Sequence, residues 1–227
     1  QVFLGVRIQC AQCHNHPFDQ WTIEDYHGFT GFLTQVGYKP SHDPRELVVY
    51  NKGVGEAESP ISGQPLAPRY LGGGEAKEDS VDRRALLANW ITADDNPFFA
   101  RNIANRVWGQ LMGRGIVEPV DDFRVSNPPS HPELLDYLAD RLRAAGYRLK
   151  PLIREIASSR VFQLTSEAAY PGDDGRYYTR FTPRRLRAET LLDAITDVTE
   201  APETFPRMAA GARASAIVDG AISNYFL

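Results

Sequence analysis

Both cysteines of this 227-residue chain stand three positions apart, in the run Cys10-Ala11-Gln12-Cys13-His14. No disulfide can therefore staple distant segments together, and the fold has to rest on a buried apolar core. The same run concentrates most of the chemistry. His14 and His16, two of the five histidines, fall inside seven residues with the thiols. C-x-x-C-H is the acceptor pattern for covalent c-type haem: two thiols add to the haem vinyl groups and the next histidine ligates iron. Thiols so spaced on a helical turn reach neighbouring pyrrole edges, which leaves the His14 imidazole under the ring centre.

Other chemistries can use the same residues. Cys10, Cys13, His14 and His16 make up a donor set of the kind that zinc takes, although their crowding demands a tight knuckle. Cys10 and Cys13 are also a dithiol pair, but no strand-turn-helix pattern surrounds them as it does redox C-x-x-C motifs. The plainest reading is a buried helix end with two free thiols.

The remaining composition sets bounds. Hydrophobic residues make up 42% and charged residues 24%, as in ordinary globular chains, and 227 residues suffice for one or two domains with a real core. A net charge of −4 with mixed signs carries no polyelectrolyte signal for nucleic acid. No apolar run approaches the roughly 20 residues of a membrane span. The sequence opens at Gln1, without Met, directly in Val2-Phe3-Leu4-Gly5-Val6. It is expected to be a piece of a longer polypeptide, so the missing targeting signal says nothing about compartment.

In order along the chain, residues 1–13 are expected to form a helix whose last turn carries the thiols, ended by Pro17. Thr22 with Asp25 predicts an N-cap and a helix to about residue 35 that buries Tyr26, Phe29, Phe32 and Leu33, closed by Gly37. Residues 46–50 predict a strand and Asn51-Lys52-Gly53 a turn. Prolines and Gly72-Gly73-Gly74 make the remainder of 38–78 loop-rich, with room for one more short strand. Helices dominate afterwards. One opens at Ser80 or Val81 and runs to about Thr92, with Ala85, Leu86, Leu87, Trp90 and Ile91 as its apolar face. Asn96-Pro97 caps the next, to about Met112, stopped by Gly113 and Gly115. A Ser130/Glu133 capping box predicts a third, with Leu134, Leu135, Leu138 and Leu142 facing the core. Pro151 starts a fourth ending near Ser159, and Thr182-Pro183 caps a long fifth that holds Leu186, Leu191, Leu192, Ile195 and Val198.

Several long blocks, in this order, carry a family resemblance. They are 3–6 with 10–19; Arg84-Ala85-Leu86-Leu87-Ala88-Asn89-Trp90; 105–108 through 113–117 to 121–124; and 127–136, with Arg184-Arg185-Leu186-Arg187-Ala188-Glu189 later. Together they resemble the paired planctomycete-type domains of unknown function, a cytochrome c-like domain followed by a planctomycete-specific helical domain. The resemblance implies a large protein, periplasmic or otherwise exported, with further modules upstream in the same polypeptide. On that pattern the chain begins inside the first domain and stops before the usual end of the second.

If haem binds, Cys10 and Cys13 are the thioether sites and His14 the proximal ligand. The sixth ligand must come from the opposite face, which His16 can hardly reach. His131 and Met112 are the first candidates, His27 and His42 the next. Each has a structural alternative: His131 as a hydrogen-bonding residue at a helix start, Met112 as core filler. A second constellation gathers Asn105, Arg106, Arg114, Asp121, Asp122 and Arg124. It suits acid–base chemistry or a cation, and equally a salt-bridge network. His14, His16 and His131 meeting Asp19 or Asp122 would make a hydrolase-like metal site. There is no G-x-S-x-G, H-E-x-x-H or dinucleotide fingerprint.

The expected fold class is mainly α: a helical bundle-like domain with a small β-hairpin and loop insertion near residues 45–72. The expected domains are 1–37 (the C-terminal part of a cytochrome c-like domain), 38–79 (loop-rich insertion and linker) and 80–227 (the helical domain, C-terminally incomplete). The leading function is a haem c electron-transfer module with a redox partner protein, more a redox protein than a hydrolytic enzyme. Its alternatives are a helical scaffold with zinc or no metal at Cys10–His16, and a metal-dependent hydrolase.

Overall fold

The computed structural model describes residues 1–43, 45–77, 82–168, 170–218, 222 and 226. They form two compact units, Gln1–Thr182 and Pro183–Leu227. Among the described residues are six α-helices and two small two-stranded antiparallel sheets, so helix is the main regular structure and the strands are minor.

The first segment is not the expected helix. Only Gln9–Gln12 is helical, as a 3₁₀ turn. Gly5 adopts a left-handed φ of 70°, and the backbone ahead of the turn bonds across the chain instead. Asn102 Nδ2 donates to the Val2 carbonyl at 2.7 Å, and the Phe123 N–H to the Gly5 carbonyl at 2.9 Å. A Cβ on Gly5 would stand 2.7 Å from Asn102 Oδ1, so this close approach needs glycine.

Helix α1, Ile23–Thr30, opens with the Thr22/Asp25 capping box complete on both sides. It ends earlier than expected. Residues 31–35 are turns, and strand β1, Val36–Pro40, already includes Gly37. Phe32 is buried as expected, whereas Leu33 is 51% exposed. The break falls where α1 touches the segment 67–69: a Cβ on Gly31 would sit 3.2 Å from Pro68 Cα, and one on Gly28 3.0 Å from Arg69 Cβ. Strand β2, Leu47–Asn51, pairs with β1 from Val36↔Asn51 to Pro40↔Leu47. The hairpin thus starts nine residues ahead of the expected insertion, because β1 lies in what read as helix end and linker. The turn expected at 51–53 is present, with Asn51 Oδ1 accepting the Gly53 N–H. Strands β3, Ala57–Glu58, and β4, Pro65–Leu66, form the second sheet.

Helix α2, Arg83–Ile91, is capped by Asp82; the cap expected at Ser80 or Val81 lies outside the described residues. Its buried residue is Arg83, Ala85 is exposed, and the other expected face residues are half-buried. Helix α3, Phe99–Met112, follows the expected Asn96 cap, whose Oδ1 accepts the N–H groups of Phe98 and Phe99. Gly113 ends it at φ 81°. Helix α4, Pro132–Ala144, lacks the Ser130/Glu133 capping box. Ser130 Oγ is drawn instead to the Ile116 carbonyl at 3.1 Å. Helix α5 is Leu149–Ala157.

Two apolar cores result in the first unit. Leu4, Val6, Ala11, Trp21 and Leu71 gather beneath the 3₁₀ turn, with Tyr26, Phe29, Trp90 and Phe98 against them. The other joins α3, α4 and α5 through Trp108, Met112, Leu135, Leu138, Leu142 and Ile156.

In the second unit, helix α6 is Ala188–Thr199, starting five residues after Pro183, and Leu186 ahead of it is exposed. Asp193 holds this unit together. Its carboxylate accepts the N–H groups of Ala214 and Ser215, beside Leu192 and Phe205 in a small core.

Candidate functional site

The C-x-x-C-H run is built from the inside outward. Ala11 is fully buried against the core under the 3₁₀ turn, and its small side chain lets the turn lie close to α1. With Ala11 pointing in, Cys10 and Cys13 point out, both exposed free thiols. A cleft of about 520 Å³ lies beside Cys10, lined by Val6, Arg7, Ile8, Gln9, Gln12 and Tyr26 among others.

The three histidines near the turn differ in which ring nitrogen is free. His14 Nδ1 lies 2.7 Å from the Asn15 carbonyl oxygen, which can only accept, so Nδ1 carries the proton and the Nε2 lone pair is available. His16 Nδ1 instead accepts the Phe18 N–H at 3.2 Å, which puts the proton of its neutral ring on Nε2. His27 Nε2 lies 3.2 Å from the Gln12 carbonyl and is thereby tied to the turn. A ligating histidine characteristically donates its other N–H to a carbonyl or carboxylate, and His14 has that arrangement.

The other sequence candidates lie elsewhere. Met112 is 1% exposed in the α3–α5 core, and His131 packs against Tyr177 and Tyr178 with ring centroids 5.8 and 5.9 Å away. Neither lines the cleft beside Cys10. Asp19 accepts the Trp21 indole N–H at 2.9 Å and the Gln20 N–H. Asp122 is buried and paired with Arg124 at 3.0 Å, and Asp121 holds Arg7 and Gln1. Within the acidic–basic constellation only Asp122 and Arg124 pair with each other; Arg106 reaches Asn102, and Asn105 the Val117 backbone. Among the described residues, no group of three or more His, Cys, Asp or Glu is gathered as a metal would need.

Sequence reading missed an aromatic column behind the turn. Tyr70 stacks on Phe32 and on Trp90 at 5.0 and 5.2 Å, Trp90 meets Phe98 at 6.2 Å, and Phe98 meets Trp21 at 6.2 Å. These rings come from the segments just before and just after α1, the loop after β4, α2 and the residue ahead of α3, so no local periodicity could have joined them.

A family model of PSD1, described as a protein of unknown function (DUF1553), matches residues 83–211, more than half of the chain. The chain belongs to the PSD1 family. Residues 1–38 match a second family, PSCyt2, also described as a protein of unknown function (DUF1549). Both are planctomycete-type domains, in the pairing that the sequence blocks resemble. No curated protein and no solved structure matches the chain. In this PSD1 protein the PSCyt2 stretch carries the whole C-x-x-C-H run. It packs with the start of the PSD1 stretch in one unit, through Asn102 and Phe98. No described helix is long and apolar enough to cross a membrane.

Proposed function

We propose that the PSCyt2 stretch attaches c-type haem covalently and serves as a one-electron transfer module of a larger exported protein. The observation that carries this reading is the His14 hydrogen bond to the Asn15 carbonyl, which leaves Nε2 of that histidine, and not of His16, free beside two exposed thiols. Cys10 and Cys13 would form the thioether links and His14 would ligate. The haem would supply the one-electron couple. The chain's own part is to hold the turn through Ala11, to fix the His14 tautomer, and to keep Val6, Ile8 and Tyr26 as an apolar wall of the adjoining cleft.

On this reading the chain divides into a haem-bearing part (1–37), a linker with short strands (38–79) and a helical domain (80–227), bundle-like in its α3–α5 part. Its partners are a redox protein and upstream domains of the same polypeptide. Periplasmic placement follows because haem is attached to C-x-x-C-H outside the cytoplasm.

The test is a pyridine haemochrome spectrum of the protein made in a host with c-haem maturation machinery and sent to its periplasm. A double-thioether α-band that disappears in Cys10→Ala/Cys13→Ala is the expected result. A colourless folded protein overturns the reading.

A further inference from the structure

A cavity of about 280 Å³ opens in the first unit against the α3–α5 core. Trp108 of α3, Leu138 of α4 and Ile156 of α5 line it and are buried. Tyr137, Tyr177 and Tyr178 add three more rings to the lining.

Most polar groups of this wall already have partners. The Tyr137 hydroxyl donates to one Glu155 oxygen, and the Arg141 guanidinium donates to the other at 2.9 Å. Ser159 Oγ donates to the Ile156 carbonyl at 2.6 Å, and the Tyr178 hydroxyl to the Arg114 carbonyl at 3.4 Å. One buried donor of the wall is left over. Trp108 is 2% exposed, and its indole Nε1–H is buried with no hydrogen-bond partner among the described residues. The Tyr178 ring meets the indole edge-on with centroids 5.1 Å apart. Its hydroxyl lies near Nε1 but outside hydrogen-bond geometry, since it is turned to Arg114. A buried N–H that has given up water without gaining an acceptor is unfavourable, so an acceptor brought by a guest gains more here than at a solvated donor.

The rest of the wall sets the body and charge of the guest. Rings and aliphatic groups suit an aryl body, and the volume is below the usual range for drug-sized ligands, so the guest is small. Glu155 is matched by Arg141, which leaves a cation no spare counter-charge. No lysine or arginine among the described residues lines the cavity to hold an anion. A carbonyl suits the indole because it only accepts, whereas the Glu155 oxygens that could take a hydroxyl proton are engaged.

The geometry points to a binding site for a small uncharged aryl carbonyl compound: one ring seated among Trp108, Tyr177 and Tyr178, with its carbonyl oxygen accepting the Trp108 indole N–H. The site is independent of haem attachment.

The test is an NMR titration of the full chain carrying isotope-labelled tryptophan, whose three indole N–H signals belong to Trp21, Trp90 and Trp108. Trp108→Phe removes one of them and so identifies it. Acetophenone should move the Trp108 signal downfield saturably and bind about tenfold more tightly than ethylbenzene, a ring of similar shape without the oxygen. In Trp108→Phe, which keeps an aromatic ring but lacks the N–H, the two should bind alike. Tyr177→Ala, at a half-exposed side chain, should weaken both. If Trp108→Phe fails to fold, the signal is assigned by cross-relaxation with the Tyr178 ring, and the two compounds on the unaltered chain decide. No saturable shift, or ethylbenzene binding as tightly as acetophenone, overturns the assignment. Phenyltrimethylammonium binding more tightly than either also overturns it, and would make the cavity an aromatic cage for a cation.

Discussion

The carboxamide of Asn105 bonds the Val117 backbone at both of its polar ends. Oδ1 accepts the Val117 N–H at 3.0 Å, and Nδ2 donates to the Val117 carbonyl at 2.9 Å. Asn105 is fully buried in α3, so this pair joins the helix to the loop before α4 as a strand partner would. Gly115 makes room for it: a Cβ there would stand 2.3 Å from the Val117 carbonyl oxygen. Asn105→Ala leaves a buried donor and acceptor unmatched and should cost about 2–3 kcal/mol, read from urea unfolding. A loss under about 0.5 kcal/mol would show that water replaces the carboxamide without penalty.

Arg83 ties the insertion to the helices. Its guanidinium is buried, donates to the Gly55 carbonyl at 3.1 Å, and grips both oxygens of Glu56 at 2.8 and 2.9 Å. Glu56 is half exposed, so the full cost of a buried pair does not apply. Arg83→Ala should still lower stability by about 2 kcal/mol and raise the rate of protease cleavage within residues 52–66. An unchanged cleavage pattern would show that the two small sheets hold without it.

Asp121 should make stability depend on acid. Partial burial pulls its carboxyl upward, but hydrogen bonds from Arg7 and Gln1 and the Arg7 charge overcome this and hold it below the usual carboxylate range. Its stabilisation is therefore present above the unfolded pKa and is lost as pH falls through the lower folded value. Asp121→Asn should destabilise by about 1 kcal/mol at neutral pH, with the gap to wild type closing as pH falls through and below the ordinary carboxylate range. Urea titrations at several pH values measure this, and a gap constant across that range refutes it.

In the haem-loaded protein the histidines should separate by tautomer. His14→Ala should abolish the native absorbance spectrum of the bound haem, whereas His16→Ala and His27→Ala should leave it in place. Met112→Leu and His131→Ala should also leave the spectrum unchanged, because Met112 is enclosed in the α3–α5 core and His131 rests on Tyr177 and Tyr178. A spectral change in either of these last variants would mean that the two cores rearrange around the haem.

Local chemistry was legible wherever the deciding partner lies within a few residues. Thr22 and Asp25 close their own capping box, Asn96 caps its own helix, Gly113 supplies its own left-handed φ, and Asn51 bonds Gly53. The spacing of Cys10, Cys13 and His14 belongs to the same class, since the Cys10 carbonyl accepts the N–H groups of both Cys13 and His14. The errors fell where a distant group outbids the local one. Residues 1–8 read as helix, but their backbone serves Asn102 and Phe123, more than ninety positions away. Ser130 left its capping box for the Ile116 carbonyl, and the end of α1 gave way to Pro68 and to strand β1.

The amino-acid order alone specified the caps at Thr22 and Asn96, the mainly helical class, the pairing of families and the close spacing of both thiols. These depend on side chains reaching their own or adjacent backbone, over distances that chain connectivity already sets. Tertiary packing decided which candidate ligand became core, where the backbone of residues 1–8 found its partners, and where Ser130 turned its hydroxyl. Each of those outcomes depends on three-dimensional neighbours, and hydrogen bonds and ion pairs are made or lost over a few tenths of an ångström.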